Sequence, residues 1–190
     1  MNMINALRPQ RTPTAAGEMI AFWRDAGPAL WFAKDADFDR RFRERFLSNH
    51  EAAAEGALVD WQGSTHGAFA LMILLDQFPR NAFRGTPRMY ATDALAREIA
   101  AAAIADRHDR VVAKELRKFF YLPFAHSEDL ADQHRAVQLC RHLGGRDYEN
   151  AQRHREIVRR FGRFPHRNPI LGRAMTAEEQ AYLDEGGYAG

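Results

Sequence analysis

Apolar residues recur at helical spacing along nearly the whole chain, and no stretch alternates apolar and polar residues long enough for a strand. Thr14 to Ala26 reads as a first helix with Met19, Ile20, Phe22 and Trp23 on its apolar side, stopped by Gly27-Pro28. Asp37 to Glu55 follows, with Phe38, Phe42 and Phe46 at i, i+4 and i+8. Ser64 to Phe78 is apolar all round in its middle, the mark of a central buried helix. Thr86-Pro87 joins an N-cap to a proline at the first helical position and opens a helix to about Ala105. Val111 to Tyr121 is shorter. Ser127 caps a helix ending at Gly144-Gly145, and Asp147 caps one that runs to Phe161. Thr176 with Glu179 forms a capping box for a last helix to about Glu185. The pattern predicts an all-α fold, a single domain over 1–190 of about eight antiparallel helices in a stack or bundle. Within it, 1–13 is expected as a flexible N-terminal segment and 186–190 as a frayed tail.

Composition narrows the class. The single cysteine, Cys140, leaves no internal disulfide framework and fits a reducing compartment. The longest apolar stretch, Gly67 to Leu75, is about half of the roughly 20 residues a membrane span needs. Met1 to Gly17 carries Arg8 and Arg11 without the apolar run of a signal peptide. These features predict a soluble cytoplasmic protein without a membrane partner.

Net charge is only +2, too small to call for a polyanionic partner, but its distribution is uneven. Residues 107–173 hold 15 basic and 8 acidic side chains, a net of +7, whereas residues 174–190 hold 4 acidic and no basic ones. Of the 27 basic residues only Lys34, Lys114 and Lys118 are lysines, which leaves 24 arginines. Codon bias explains most of that excess, but not the gathering of Arg153, Arg155, Arg159, Arg160, Arg163 and Arg167 in one short run. Arginine offers a planar, permanently charged fork suited to carboxylate or phosphate.

Three breaks resemble one another: Phe78-Pro79-Arg80-Asn81, Leu122-Pro123-Phe124, and Phe164-Pro165-His166-Arg167-Asn168. A proline after an aromatic residue suffices to end a helix, yet that does not account for the polar residues that follow. Short loops make successive helices antiparallel, so connections alternate between two ends of the stack. Counting from helix one places 27–36, 79–85, 122–126 and 162–175 at one end, and 56–63, 106–110 and 144–146 at the other. The first end gathers the arginines, histidines and Trp31; the second offers mainly Trp61, Gln62 and the run from Asp106 to Arg110.

Asp76 is the sharpest candidate, because a carboxylate at the C-terminal end of an apolar helix opposes the helix dipole and needs a cationic partner. Arg80 and Arg84 lie near enough in sequence to supply it. Asp76 is then either half of a structural ion pair or a base and orienter. His126, just before the Ser127 cap, is either a hydrogen-bonded structural histidine or an acid/base group. His154 falls on the apolar stripe of its helix and reads as a core or pocket-lining side chain. The spacing of His126, Glu128, Asp132 and His166 is not diagnostic of a metal. No Gly-x-Gly-x-x-Gly or Walker loop occurs, and the chain points to no particular cofactor.

The runs Leu74-Leu75-Asp76-Gln77-Phe78-Pro79-Arg80-Asn81 with Phe83-Arg84-Gly85-Thr86, Phe120-Tyr121-Leu122-Pro123-Phe124 with His126-Ser127-Glu128, and Arg160 to Asn168 with Leu171-Gly172-Arg173 resemble the bacterial family called domain of unknown function 924. The similarity runs from about Phe22 to Leu183, with a departure at Pro169-Ile170, where the family more often has a small residue. The resemblance implies an all-α fold like tetratricopeptide repeats and brings no established activity.

The leading expectation is a pocket for a small anionic molecule at the loop-rich end. Arg80, Arg84, Arg163, Arg167 and Arg173 would supply charge, and Asp76, His126 and His166 the acid/base groups. Asp76 and Glu128 would orient them, Gln77, Asn81 and Asn168 would add contacts to the ligand, and Trp31 and Phe32 would form an apolar wall. The alternatives are a tetratricopeptide-like module gripping an acidic peptide, and an RNA binder using Arg153 to Arg167. Near-balanced charge counts against nucleic acid.

Overall fold

The computed structural model describes residues 14–190; the expected flexible segment at 1–13 lies outside the described residues. The fold is all-α. Its helices are α1 (Thr14–Trp31), α2 (Ala36–Ala54), α3 (Thr65–Met72), α4 (Phe78–Ala82) and α5 (Asp93–Ala105), followed by α6 (His108–Val111), α7 (Lys118–Ala125), α8 (Leu130–Cys140), α9 (Gly145–Phe161) and α10 (Ala177–Asp184). No helix among the described residues is long and apolar enough to cross a membrane.

The core is built around α3, whose residues from Gly67 to Met72 are all buried, as an all-round apolar helix requires. Helices α1 and α5 pack on it, α7 packs on α5, and α8 and α9 continue the series. The ladder of Phe38, Phe42 and Phe46 closes the α1–α2 side. Their rings lie 5.4, 5.3 and 5.2 Å from that of Phe22. A smaller apolar cluster of Ile157, Val158 and Phe164 sits under Phe161, Tyr182 and Tyr188. The expected frayed tail therefore packs: Tyr188 lies 4.7 Å from the His154 ring and 5.1 Å from that of His166.

Ser64 caps α3 through the Gly67 amide, and Thr176 and Glu179 form the capping box of α10. Elsewhere tertiary contacts override the local signals. Thr86-Pro87 opens only a short 3-10 turn over Pro87–Tyr90, and α5 starts at Asp93. The Thr86 hydroxyl donates to the Phe83 carbonyl instead of capping a helix. Asp129, not Ser127, caps α8, with the Ser127 hydroxyl donating to Asp132. Asp147 lies in the first turn of α9 and pairs with Lys118 rather than capping. Gly27, at φ 68° and ψ 176°, interrupts the helix where Gly27-Pro28 is expected to stop it, and a second short helical segment runs from Pro28 to Trp31.

Two of the three proline breaks lie inside helical backbone. Pro123 sits within α7. Pro79 follows a π-turn, Ile73–Gln77, that joins α3 to α4 without interruption. Proline lacks an N–H and its ring crowds the carbonyl four residues back. Widening the helix to i→i+5 makes room, and side chains take up the freed acceptors. The Leu74 carbonyl accepts from His50 Nδ1 at 2.9 Å, Leu75 from the Thr92 hydroxyl at 2.6 Å, and Asp76 from Arg80 Nη1 at 2.6 Å. Only Pro165 lies beyond a helix end, after Gly162 leaves α9 with φ 70°.

Candidate functional site

The π-turn sets the site, because it turns Asp76 into the interior with no exposed surface. Three groups meet this carboxylate. His126 Nδ1 donates to Oδ1 at 2.8 Å, Gln77 Nε2 donates to Oδ2 at 2.6 Å, and Arg80 Nη1 stands 3.3 Å from Oδ1 while also holding the Asp76 carbonyl. Burial alone would raise the Asp76 pKa. The Arg80 charge, His126 and Gln77 outweigh it and hold the carboxyl down at about 2. Arg84, the other cation expected beside Asp76, instead pairs with Asp39 at 2.8 Å, and Asn81 donates to the same Asp39.

Arg80 is fixed from the other side by a bidentate pair with Asp93, at 2.9 and 3.0 Å. Burial lowers its pKa, and Asp76 and Asp93 more than restore it, so it stays a permanent cation. His126 is held at both flanks: Gln133 Nε2 donates to the carbonyls of Ala125 and Ser127, and Arg167 Nη2 donates to that of His126. Desolvation, then the Arg80 charge, push the His126 pKa below its ordinary value despite Asp76, so the ring is neutral at neutral pH. A carboxylate can only accept, so the proton is assigned to Nδ1. Nε2 makes no hydrogen bond to the described residues.

Arg167 is the least compensated group of the site. It is 7% exposed, and its nearest carboxylate is Asp93 at 3.9 Å. Its guanidinium lies between the Tyr90 and Phe164 rings, 4.6 Å from each centroid. Its Nε is buried without a partner among the described residues, and so is His166 Nδ1. Burial and the neighbouring Arg167 charge depress the His166 pKa to about 4, leaving it neutral.

These groups open onto a cavity of about 180 Å³. Trp31, Gln77, Arg80, Asn81, Arg84, His126, His166 and Arg167 all line it, so each of the four connections assigned to one end by counting contributes to one wall or another. Met89, Tyr90, Tyr188 and the exposed Lys34 also line it. A second cavity of about 410 Å³ abuts the first, sharing Trp31, Phe32, His126, Tyr188 and Gly190.

Four expected site residues stand elsewhere. Glu128 grips Arg173 through two bonds of 2.6 and 2.9 Å and accepts the Phe164 amide. Asn168 is fully buried and accepts from Arg173 Nε at 2.9 Å. Arg163 forms a bidentate pair with Glu179 at 2.6 and 2.9 Å. These contacts fix the 162–175 connection to the turn before α8 and to α10, and leave Arg163, Arg173, Glu128 and Asn168 out of the cavity lining. Three arginines of α9 are paired as well: Arg155 and Arg159 with Glu156, and Arg160 with Glu178, while Arg153 lies over the Tyr188 ring. Tyr90, Asp93 and Tyr188 went unforeseen. Asp93 carried one usable signal, an acidic residue at a helix start, but it was masked by the Thr86-Pro87 reading. Among the described residues no group of three or more His, Cys, Asp or Glu is placed to hold a metal ion.

The all-α scaffold thus buries Asp76 behind His126, and His126 and Arg167 face one cavity. The chain belongs to the family of bacterial proteins of unknown function DUF924, whose model matches residues 19–187. A solved structure of a protein of unknown function, ATU0120 from Agrobacterium tumefaciens, is 54% identical. The match covers 93% of this chain and 100% of that one, with a TM-score of 0.91. No curated protein matches the chain.

Proposed function

We propose that this protein binds a small anionic molecule in the cavity between Arg80 and Arg167 and moves a proton on it through the Asp76–His126 pair. One observation carries the anion: Arg167 is buried with no carboxylate closer than 3.9 Å. Buried charges are normally paired, so a cation left this way favours an anionic ligand as its missing partner. Lys34 at the rim adds to the positive side. Cavities of about 180 and 410 Å³ suit a small molecule better than an extended acidic peptide.

The proton chemistry follows from His126. Asp76 orients the ring and fixes its Nδ1–H tautomer, which leaves the Nε2 lone pair for a proton on the ligand or on a water beside it. The imidazolium so formed lies 2.8 Å from an ionised carboxylate, which stabilises it. Because burial keeps the ring neutral beforehand, His126 starts as a base rather than an acid.

Thermal-shift screening with small carboxylates and phosphate esters tests the reading. Binders should raise Tm in the native chain and in Arg163→Gln, but not in Arg167→Gln. A panel with no binder, or shifts that Arg167→Gln leaves intact, would remove the anion site.

A further inference from the structure

The second cavity differs in chemistry from the first. Leu122, Cys140 and Ala151 give it an apolar wall. Two cations stand at its rim: Lys118, neutralised by Asp147 at 2.8 Å, and Arg146, which is exposed to solvent. The first cavity is the more cationic, with Lys34, Arg80, Arg84 and Arg167 on its lining and no Asp or Glu among its lining residues. The two meet at His126, and Tyr188 stands between them, its ring against His154 on one side and His166 on the other.

We infer that the ligand is a two-part molecule, an anionic head joined to an uncharged apolar body of acyl or aryl type. The head sits against Arg167 in the smaller cavity and the body fills the cavity walled by Leu122, Cys140 and Ala151. The inference rests on the anion site proposed above and adds the substrate class. The junction of head and body then passes His126 Nε2, so the proton that His126 handles belongs to the atoms linking the two parts. A free inorganic anion would leave the larger cavity unused. A purely apolar molecule would leave Arg167 without a partner.

Calorimetric titration of the full chain with straight-chain carboxylates from acetate to octanoate tests this, with inorganic phosphate and the matching alkanols alongside. Affinity should rise with length by roughly fourfold per methylene until the cavity is full. The alkanols should bind more weakly at every length. Leu122→Trp, which fills the second cavity, should bind acetate and phosphate as the native chain does but lose the gain with length. Asn150→Trp, a change at an exposed rim position, does the same work should Leu122→Trp not fold. Short anions binding without any gain in length would overturn the two-part ligand while leaving the anion site standing. A gain that both variants retain would also overturn it. Failure of every anion, phosphate included, would remove the anion site and this inference with it.

Discussion

His126 Nδ1 and Asp76 Oδ1 lie 2.8 Å apart although fifty positions separate them in the chain. The π-turn ahead of Pro79 delivers the carboxylate, and the Gln133-held corner after α7 delivers the ring. A relationship made by two distant backbone irregularities is sensitive to either partner.

Asp76→Asn should therefore cost stability and alter His126 together. The change removes the anion from a buried pair, a loss of about 3 kcal/mol or more. It also removes the charge that holds the His126 pKa up against burial, so that pKa should fall further. Urea unfolding measures the first effect and NMR titration of the imidazole the second. A variant of native stability would show that Asp76 is dispensable to the corner.

Acid should weaken the fold before Asp76 is protonated. Burial depresses His154 to a pKa of about 3 and His166 to about 4, from 6.5 in the unfolded chain. Between pH 6.5 and about 4 the unfolded chain binds more protons than the folded one, so stability falls as pH falls. The slope is up to about 1.4 kcal/mol per pH unit for each ring. Asp76 acts in a separate window: its contribution is complete above 3.8 and is lost as pH drops toward about 2. Urea unfolding of His154→Gln across pH 4–6.5 should show a shallower slope than the native chain. An unchanged slope would contradict the buried neutral imidazole.

Arg173→Ala and Arg163→Ala should lower stability and leave ligand affinity alone. Each leaves a carboxylate, Glu128 or Glu179, without its bidentate partner, and the loss at the half-buried Arg173–Glu128 pair is about 1–3 kcal/mol. Neither arginine lines the cavity. Denaturation paired with calorimetry of the same samples separates the two readouts.

Gly67→Ala should destabilise the chain although glycine is the poorer helix former. The added methyl would run into the Trp61 carbonyl, a backbone group that cannot swing aside. The overpacking cost, about 1–3 kcal/mol, exceeds the helix-propensity gain of about 1 kcal/mol. A raised Tm would show that the Val59–Gly63 turn yields.

Much of the helix order was legible because it rests on local rules. The buried face of α3, the Phe38–Phe42–Phe46 ladder and the Thr176–Glu179 box each follow from spacing alone. Pro79 and Pro123 look like helix ends by local rules, but both lie in helical backbone, and at Pro79 the compensation is tertiary: Thr92 and His50 reach in from other elements to satisfy the freed carbonyls. The same physics blurred the candidate site. Sequence places many arginines near many carboxylates, but only packing decides that Arg84 takes Asp39, Arg163 takes Glu179 and Arg173 takes Glu128. Arg167 differs by what it lacks, a close carboxylate, and no local pattern encodes that. Tyr188 went unforeseen because its docking depends on the distant His154 and His166 rings.

The most direct test is an NMR titration of the imidazole signals of His126 and His166 with inorganic phosphate near pH 7, on the native chain, Arg167→Gln and Arg163→Gln. An anion seated on Arg167 should move both signals along one saturable curve in the native chain and in Arg163→Gln, and in neither case in Arg167→Gln. Signals that stay still, or that respond alike in all three proteins, would contradict the site.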